Sequence, residues 1–132
     1  MERPTDPPAE PGDRASRVHF RPENRLVRAF QYERAFKEGR MARGRHVVAY
    51  AHTVDGEPSR AGIIASKKVG DAVHRNKAKR RLRSIVRAVW PRVLPDGRQV
   101  VLIALPDVPT VDFEKLTTDV TRLMQDLGVL KP

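Results

Sequence analysis

Apolar residues recur at a helical spacing in three segments of the chain, and this period predicts three amphipathic helices. The first covers residues 25–38 and is followed by Gly39, a common residue just after a helix. The second covers about residues 72–90 and stops at Pro91, because proline cannot continue a helix. The third covers residues 112–127, with Asp112 as its N-cap. The apolar positions are Leu26, Phe30, Ala35 and Phe36 in the first helix, Ala78, Leu82, Ile85, Val86 and Val89 in the second, and Phe113, Leu116, Val120, Leu123, Met124 and Leu127 in the third.

Three further segments have the composition of β-strands. Residues 45–53, RHVVAYAHT, are followed by the turn residues Asp55 and Gly56 and then by a return strand at residues 60–66. Residues 99–105, QVVLIAL, form a continuous apolar run that is typical of a buried central strand. Together the elements predict an α+β fold, an α/β sandwich in which helices pack on a small mixed sheet.

The N-terminus has a different composition. Residues 1–17 contain four prolines, no aromatic residue and no large aliphatic residue after Met1. Such a segment buries too little apolar surface to offset the entropy lost on ordering. We therefore expect a disordered, proline-rich extension over residues 1–20 and a single folded domain over residues 21–132.

Length and composition narrow the class of protein. The chain of 132 residues is long enough for one domain with its own core. It has no cysteine, which excludes disulfides and thiolate metal sites, and no apolar stretch of the length that spans a bilayer. We therefore expect a cytoplasmic protein. The net charge of +10 indicates what kind of partner the protein binds, but it does not indicate the fold.

The positive charge is concentrated on the second predicted helix and the residues just before it. Residues 66–92 contain ten Lys or Arg and a single acid, Asp71, which gives this segment a net charge of +9. Ordinary solvated helices mix both signs, and a membrane-surface helix would carry an aromatic stripe that this one lacks beyond Trp90. A polyphosphate compensates such a face best, because each neutralised phosphate releases condensed counterions. The segment predicts nucleic-acid binding, although its charge does not indicate which kind.

Aromatic residues offer a second candidate surface. Tyr32 and Phe36 share one face of the first predicted helix, and strand alternation puts His46 and Val48 on the same side as Tyr50. Exposed rings beside a basic surface could stack on unpaired bases. The alternative is that Tyr32 and Phe36 belong to the core, and the helical period by itself favours this alternative.

The residues do not form a recognisable catalytic constellation. The histidines lack the spacing of metal ligands, and no Ser/His/Asp grouping is indicated. A protein nuclease would need clustered carboxylates to hold Mg²⁺, whereas the basic segment contains only Asp71. We therefore predict neither catalytic residues nor metal ligands in this chain.

The order of residues within and just before the basic segment closely resembles the signature of the bacterial ribonuclease P protein subunit. In that family an SKK-x-G segment is followed by a short gap and then by a helix with the pattern RNR-x-KR. The resemblance covers roughly residues 22–128 and leaves the proline-rich N-terminus outside. The matching residues are Gly62, Ser66, Lys67, Lys68, Val69, Gly70, Ala72, Val73, Arg75, Asn76, Lys77, Lys79, Arg80 and Arg83.

The resemblance implies a sheet of about four strands, the element order α-β-β-β-α-β-α and an unusual left-handed crossover through the basic helix. It also implies that the protein binds a large catalytic RNA and that the two together remove the 5′ leader of precursor tRNA. Hydrolysis would be performed by the RNA with Mg²⁺ that is bound mainly by RNA, so the chain would be the protein subunit of an endoribonuclease. The implied partners are ribonuclease P RNA and precursor tRNA, without a membrane or an obligate protein partner.

Two sets of binding residues are carried over from the family motif. The set that faces the catalytic RNA is Lys67, Lys68, Arg75, Asn76, Lys77, Lys79, Arg80 and Arg83. A cleft between the first helix and the sheet would hold the single-stranded leader. Its residues are Tyr32, Phe36, Arg45, Val48, Tyr50, Ile64 and Ser66. This implication reverses the preference for a buried Tyr32 and Phe36.

Several positions depart from the family pattern. Lys77 replaces an arginine, Ala78 replaces a larger aliphatic residue, and Asp71 stands where asparagine is common, where it could cap the helix. Tyr32 replaces the commoner phenylalanine, and Gln31 replaces the acid before it. Two other functions remain as alternatives, a basic ribosomal or RNA-chaperone protein without a role in tRNA cleavage and a self-sufficient nuclease.

Overall fold

The computed structural model describes residues 19–131. The predicted disorder of residues 1–20 therefore falls almost entirely outside the described residues. Phe20 is buried, and its ring packs edge-on against Trp90 with the ring centroids 4.7 Å apart. The packed domain thus includes Phe20 rather than beginning at residue 21.

The described part of the chain follows the order α-β-β-β-α-β-α. The helices are α1 (Ala29–Glu38), α2 (Ala72–Val89) and α3 (Phe113–Asp126), and the strands are β1 (Arg40–Arg43), β2 (Val47–Thr53), β3 (Arg60–Ile64) and β4 (Arg98–Ala104). Short 3-10 turns lie before α1, between β3 and α2, and after α2, at Pro22–Asn24, Lys67–Val69 and Trp90–Arg92. None of the helices in residues 19–131 is both long and apolar enough to cross a bilayer.

Helix α1 begins at Ala29, so the prediction that it begins at residue 25 was wrong. The backbone N–H of Leu26 instead donates to the carbonyl of Ala61 at 3.0 Å, which ties this stretch to the edge of the sheet. The side-chain oxygen of Gln31 then accepts from the backbone N–H groups of Val27 and Arg28 at 2.7 and 2.9 Å. These amides would otherwise lack partners at the start of the helix, so Gln31 caps α1 from within its first turn.

Gly39 ends α1 as predicted, but for a different reason. Its φ of −84° is ordinary for any residue and is not the left-handed conformation usual for a glycine after a helix. A side chain at this position would meet the carbonyl oxygen of Ala35 and approach that of Ala51 on β2. Glycine therefore allows the end of α1 to lie directly against the sheet.

The four strands form one sheet in the order β1-β2-β4-β3. β2 pairs antiparallel with both β1 and β4, and β3 pairs parallel with β4. Two parallel neighbours need a crossover between them, and α2 lies in that connection, as the resemblance implied. The left hand of this crossover stays a prediction. β1 was not recognisable from the residues, because its sequence RMAR has the composition of a loop.

Helix α1 covers one face of the sheet, and α2 and α3 cover the other. The larger core lies beneath α2 and α3 and contains the predicted apolar face of α2: Ala78, Leu82, Ile85, Val86 and Val89. The smaller core lies beneath α1 and contains Leu26, Ala35 and Val101. Among residues 19–131, α1 is the only helix on this second face, and the part of the sheet beside it is not covered by any described element.

Two aromatic residues predicted to face the core are exposed instead. Phe30 on α1 is 54% exposed, and Phe113 at the start of α3 is 42% exposed. Each ring lies beneath an arginine guanidinium, that of Arg34 for Phe30 and that of Arg81 for Phe113, at 5.7 and 5.4 Å from the centroid. A period-based prediction assigns every apolar residue on a helix face to the core, whereas these two rings are covered by cationic side chains.

Candidate nucleic-acid interface

Helix α2 has one apolar and one cationic side. The five residues of its apolar face from Ala78 to Val89 are packed against the sheet and α3, so the positions on the other side point outward. Within Ala72–Val89 there is no acidic residue to offset the positive charge. The exposed polar residues are His74, Asn76, Lys77, Arg80, Ser84 and Arg87, and those at intermediate exposure are Arg75, Lys79, Arg81 and Arg83.

Arg81 differs from its neighbours because its guanidinium is used within the protein. It donates to the carbonyl oxygens of Val108 and Val111 at 2.6 and 2.7 Å and lies over the ring of Phe113. These contacts tie α2 to the segment that leads into α3. By contrast, Arg80 and Arg83 make no hydrogen bond or ion pair with any described residue, so their donors are available to a ligand.

The SKKVG segment forms a compact turn at the start of α2. The Ser66 hydroxyl accepts from the backbone N–H of Lys68 at 3.3 Å, and the buried Val69 anchors the turn. Gly70 has a φ of +138°, which side chains rarely adopt, and it turns the chain into α2. The exposed Lys67 and Lys68 are thereby held next to the first turn of the basic helix.

Asp71 caps α2, as its position suggested. Its carboxylate accepts from the backbone N–H of His74 at 3.0 Å and pairs with the His74 ring at 2.7 Å. These hydrogen bonds lower the pKa of Asp71. The single acid of the basic segment is therefore committed to the helix terminus, and its presence near a phosphate-binding surface has a structural explanation.

Beside α1 the aromatic residues form an open cleft and not a closed core. The rings of Phe36 and Tyr50 meet edge to face with centroids 5.0 Å apart, and Phe36 is 39% exposed. Tyr32 donates its hydroxyl to the carbonyl of Leu26 at 3.0 Å and packs partly buried at the other end of the cleft. The half-buried Val48 and Ile64 lie on the same face of the sheet.

The ring of Tyr32 packs directly against the backbone of Gly62 on β3, where a side chain would displace it. A side chain at Gly62 would come within 2.6 to 2.8 Å of the tyrosine ring and hydroxyl. Burial raises the pKa of Tyr32, and the nearby charge of Arg83 acts in the opposite direction. The cationic side of α2 is therefore near enough to the cleft for the charge of Arg83 to act on Tyr32.

The opposite side of α1 is fixed to the sheet by a polar cluster. The Glu57 carboxylate accepts hydrogen bonds from Arg34, Arg60 and Gln99 at 3.1, 2.7 and 3.0 Å. Desolvation acts to raise the pKa of Glu57, but the hydrogen bonds from Arg34 and Gln99 and the charges of both arginines lower it overall. This cluster fixes one side of α1, whereas the cleft lies along its Tyr32–Phe36 side.

Of the predicted leader-binding residues, Arg45 is the one that the structure does not bring to the cleft. Its backbone N–H donates to the carboxylate of Asp119 on α3 at 3.1 Å, and its side chain lines a separate groove with Lys115, Thr118 and Arg122. Ser66 is exposed at the end of β3, where the cleft meets the basic turn.

One cleft residue was missed from the sequence. Ile103 on β4 pairs with Val48 on one side and Ile64 on the other, so it lies at the centre of the cleft floor. The signal was present in the alternation of residues 99–105, where Val101 and Ile103 share a face. Within residues 19–131, no group of three His, Asp or Glu side chains is arranged to hold a metal ion.

Comparison with known proteins assigns this chain to a family. The family model described as Ribonuclease P matches residues 20–128. The chain belongs to the ribonuclease P protein family. A relative from Beutenbergia cavernae, called a ribonuclease P protein component, is 39% identical over 107 residues, which cover 80% of this chain and 89% of the relative.

Solved structures of the family share the fold. The ribonuclease P protein from Thermotoga maritima is 31% identical, with a TM-score of 0.65 over 77% of this chain and 96% of that one. The protein from Staphylococcus aureus aligns with a TM-score of 0.73 over 82% of this chain and 98% of that one, and at 24% identity it supports the fold alone. The resemblance found in the sequence is thus confirmed, and the ribosomal or RNA-chaperone alternative is not favoured.

Proposed function

We propose that this ribonuclease P protein binds the catalytic RNA through the cationic side of α2 and the 5′ leader of precursor tRNA through the aromatic cleft. The observation that carries the proposal is that the two surfaces meet at the end of β3: Ile64 lies on the cleft floor, and Lys67 and Lys68 follow it in the turn before α2. A single RNA assembly bound to α2 would deliver a neighbouring unpaired strand directly to the cleft.

Support for the first surface comes from charge and geometry. The residues we assign to it are those carried over from the motif: Lys67, Lys68, Arg75, Asn76, Lys77, Lys79, Arg80 and Arg83. Arginine forks match phosphate oxygens in pairs, and lysines act as point charges. Contacts of this kind fix the position of an RNA without reading its sequence.

Support for the second surface comes from its mixture of rings and aliphatic side chains at partial exposure. Unpaired bases stack on such surfaces with little sequence preference, which suits leaders that differ between tRNA genes. We assign Tyr32, Phe36, Val48, Tyr50, Ile64 and Ser66 to leader binding and add Ile103. For Arg45 we retain the proposal only as a more distant contact, because it lies beside α3.

The chemistry is proposed to stay with the RNA. Mg²⁺ would be bound mainly by RNA oxygens, since phosphates supply the hard ligands that this cation prefers. The protein would act in the cytoplasm by lowering the repulsion between two polyanions, the catalytic RNA and its substrate, and by adding affinity for the leader. The holoenzyme is then an endoribonuclease whose protein subunit binds the catalytic RNA and positions the precursor tRNA.

Reconstitution tests the proposed function directly. At low Mg²⁺, a 5′-extended precursor tRNA should be cleaved at the mature 5′ end when protein and a cognate catalytic RNA are both present. The protein alone should leave the substrate intact, and the RNA alone should cleave poorly because phosphate repulsion is screened less at low Mg²⁺. Cleavage by the protein alone, or no stimulation of the RNA, would contradict the proposal.

Replacing Tyr50 with alanine should selectively weaken binding of leader-bearing tRNA. The loss removes one stacking surface and the edge-to-face partner of Phe36, and stacking on an aromatic residue is worth roughly 1–3 kcal/mol per base. Affinity of the holoenzyme for precursor and mature tRNA is the measurement. Tyr50→Phe, which keeps the ring, should bind as the unchanged protein does. Equal losses for both tRNAs would rule out a leader-binding role.

A further inference from the structure

Strand β1 extends the cleft floor beyond the residues assigned so far. Met41 pairs directly with Tyr50, and Arg43 pairs with Val48. Directly paired residues of antiparallel strands point to the same face, so Met41 and Arg43 face the α1 side. The intervening Ala42 confirms this orientation, because it packs against the larger core on the opposite face.

Both side chains are accessible. Met41 is 56% exposed beside the Phe36–Tyr50 pair, and Arg43 is exposed next to the half-buried Val48. The side chain of Arg43 makes no hydrogen bond or ion pair with any residue in the described range 19–131. An apolar, flexible side chain and a free guanidinium thus continue a surface that is already lined by aromatic and aliphatic groups.

We propose that Met41 and Arg43 on β1 form a distal leader subsite, in which Met41 contacts a base and Arg43 contacts a phosphate of the single-stranded RNA. The inference rests on the proposed function of the cleft and deepens it. Met41 and Arg43 continue the surface that contains Tyr50, and Arg43 adds a positive charge to it. Both features favour the same occupant, an RNA strand that has already crossed the cleft.

The strand order determines which part of the leader this subsite would bind. β3 leads into the basic turn and α2, and β1 is the opposite edge of the sheet. Three inter-strand spacings, about 14 Å, separate the two edges. A leader that enters next to α2 therefore reaches Tyr32 and Ile64 first and arrives at β1 last. If the catalytic RNA bound at α2 holds the cleavage site there, nucleotides at the subsite are those farthest from that site, and short leaders do not reach β1.

The test uses holoenzyme reconstituted with the catalytic RNA and a series of precursor tRNAs whose leaders are shortened one nucleotide at a time. Arg43→Ala should lower the affinity for long leaders several-fold and reduce the slope of log affinity against log salt by about 1. Met41→Ala should lower the same affinity without changing that slope. For leaders too short to cross the sheet, both variants should match the unchanged protein.

The matched control is Arg40→Ala. Arg40 is also an exposed arginine on β1, but it pairs with the buried Ala51 and therefore points to the opposite face. It should leave the leader-length dependence unaltered. Equal effects of Arg40→Ala and Arg43→Ala, or losses that do not depend on leader length, would overturn the subsite.

Tyr50→Ala separates the two levels of the proposal. If Tyr50→Ala is sensitive to the leader and Arg43→Ala is not, the cleft stands and its extension over β1 fails. If neither variant is sensitive to the leader, the cleft itself is not the leader site and both proposals fail. Thermal unfolding of each variant checks that these exposed substitutions leave the fold intact.

Discussion

Replacing Arg80 and Arg83 with alanine together is expected to weaken binding of the catalytic RNA by about 2–4 kcal/mol. The two residues lie one turn apart on α2, and neither has a partner among residues 19–131. Each would form charge-assisted hydrogen bonds with phosphate, a class of contact worth about 1.5–3 kcal/mol. Part of this is offset by solvent screening at the exposed Arg80. Titration of the catalytic RNA with the unchanged protein and with the double variant measures the loss of binding free energy.

Salt dependence distinguishes direct phosphate contacts from general charge. Each contact contributes about 0.7 to 0.9 to the slope of log affinity against log salt, so the double variant should lose roughly 1.5 from it. The matched control removes the same charge at Arg40 and Lys115, which are exposed on β1 and α3 instead of on α2. If the control flattens the slope equally, α2 is not the RNA-binding surface.

Replacing Asp119 with alanine is expected to lower the free energy of unfolding by about 2–4 kcal/mol. Its carboxylate is 4% exposed and accepts from the backbone N–H groups of Arg45 and His46 at 3.1 and 2.8 Å, while Arg122 pairs with it at 3.1 Å. The substitution leaves two backbone donors without their acceptor, each at a cost of about 1–3 kcal/mol. Equilibrium denaturation measures the effect.

Asp112→Ala is the control for this prediction. Asp112 is an exposed N-cap of the same helix and accepts from the backbone N–H of Lys115 at 3.2 Å, so its loss should cost only about 1 kcal/mol. Comparable destabilisation by the two variants would mean that Asp119 acts only within α3. The predicted difference exists because Asp119 also holds the β1–β2 hairpin, and with it the position of β1, against α3.

Elements with a strong period or a clear cap were predictable. The apolar side of α2 is buried at every predicted position, and Asp71 and Asp112 cap their helices. Strand β4 was recognisable as a continuous apolar run because both of its faces carry buried residues: Val100 and Leu102 belong to the larger core and Val101 to the smaller one. Failures came where the local signal is weak: β1 has a polar sequence and is ordered by pairing with β2.

Side-chain roles that depend on distant partners could not be read from the chain. Arg81 belongs by sequence to the cationic run, yet its guanidinium is bound to carbonyl groups roughly thirty residues away. Arg45 lies in a segment predicted as part of the β2 strand, but its position follows from Asp119, which lies beyond two further strands and a helix. No local pattern encodes such pairs.

The sequence by itself determined the class of this protein: the unbalanced charge of residues 66–92, the ordered motif from Gly62 to Arg83 and the amphipathic helices are local properties of the chain. The tertiary structure decided which of these residues lie next to one another and which are exposed. Only the strand order places the aromatic cleft next to α2 at one end and β1 at the other, and only the uneven covering of the sheet leaves Tyr32, Phe36 and Tyr50 open. The reason is physical, since exposure and adjacency depend on contacts between residues far apart in sequence.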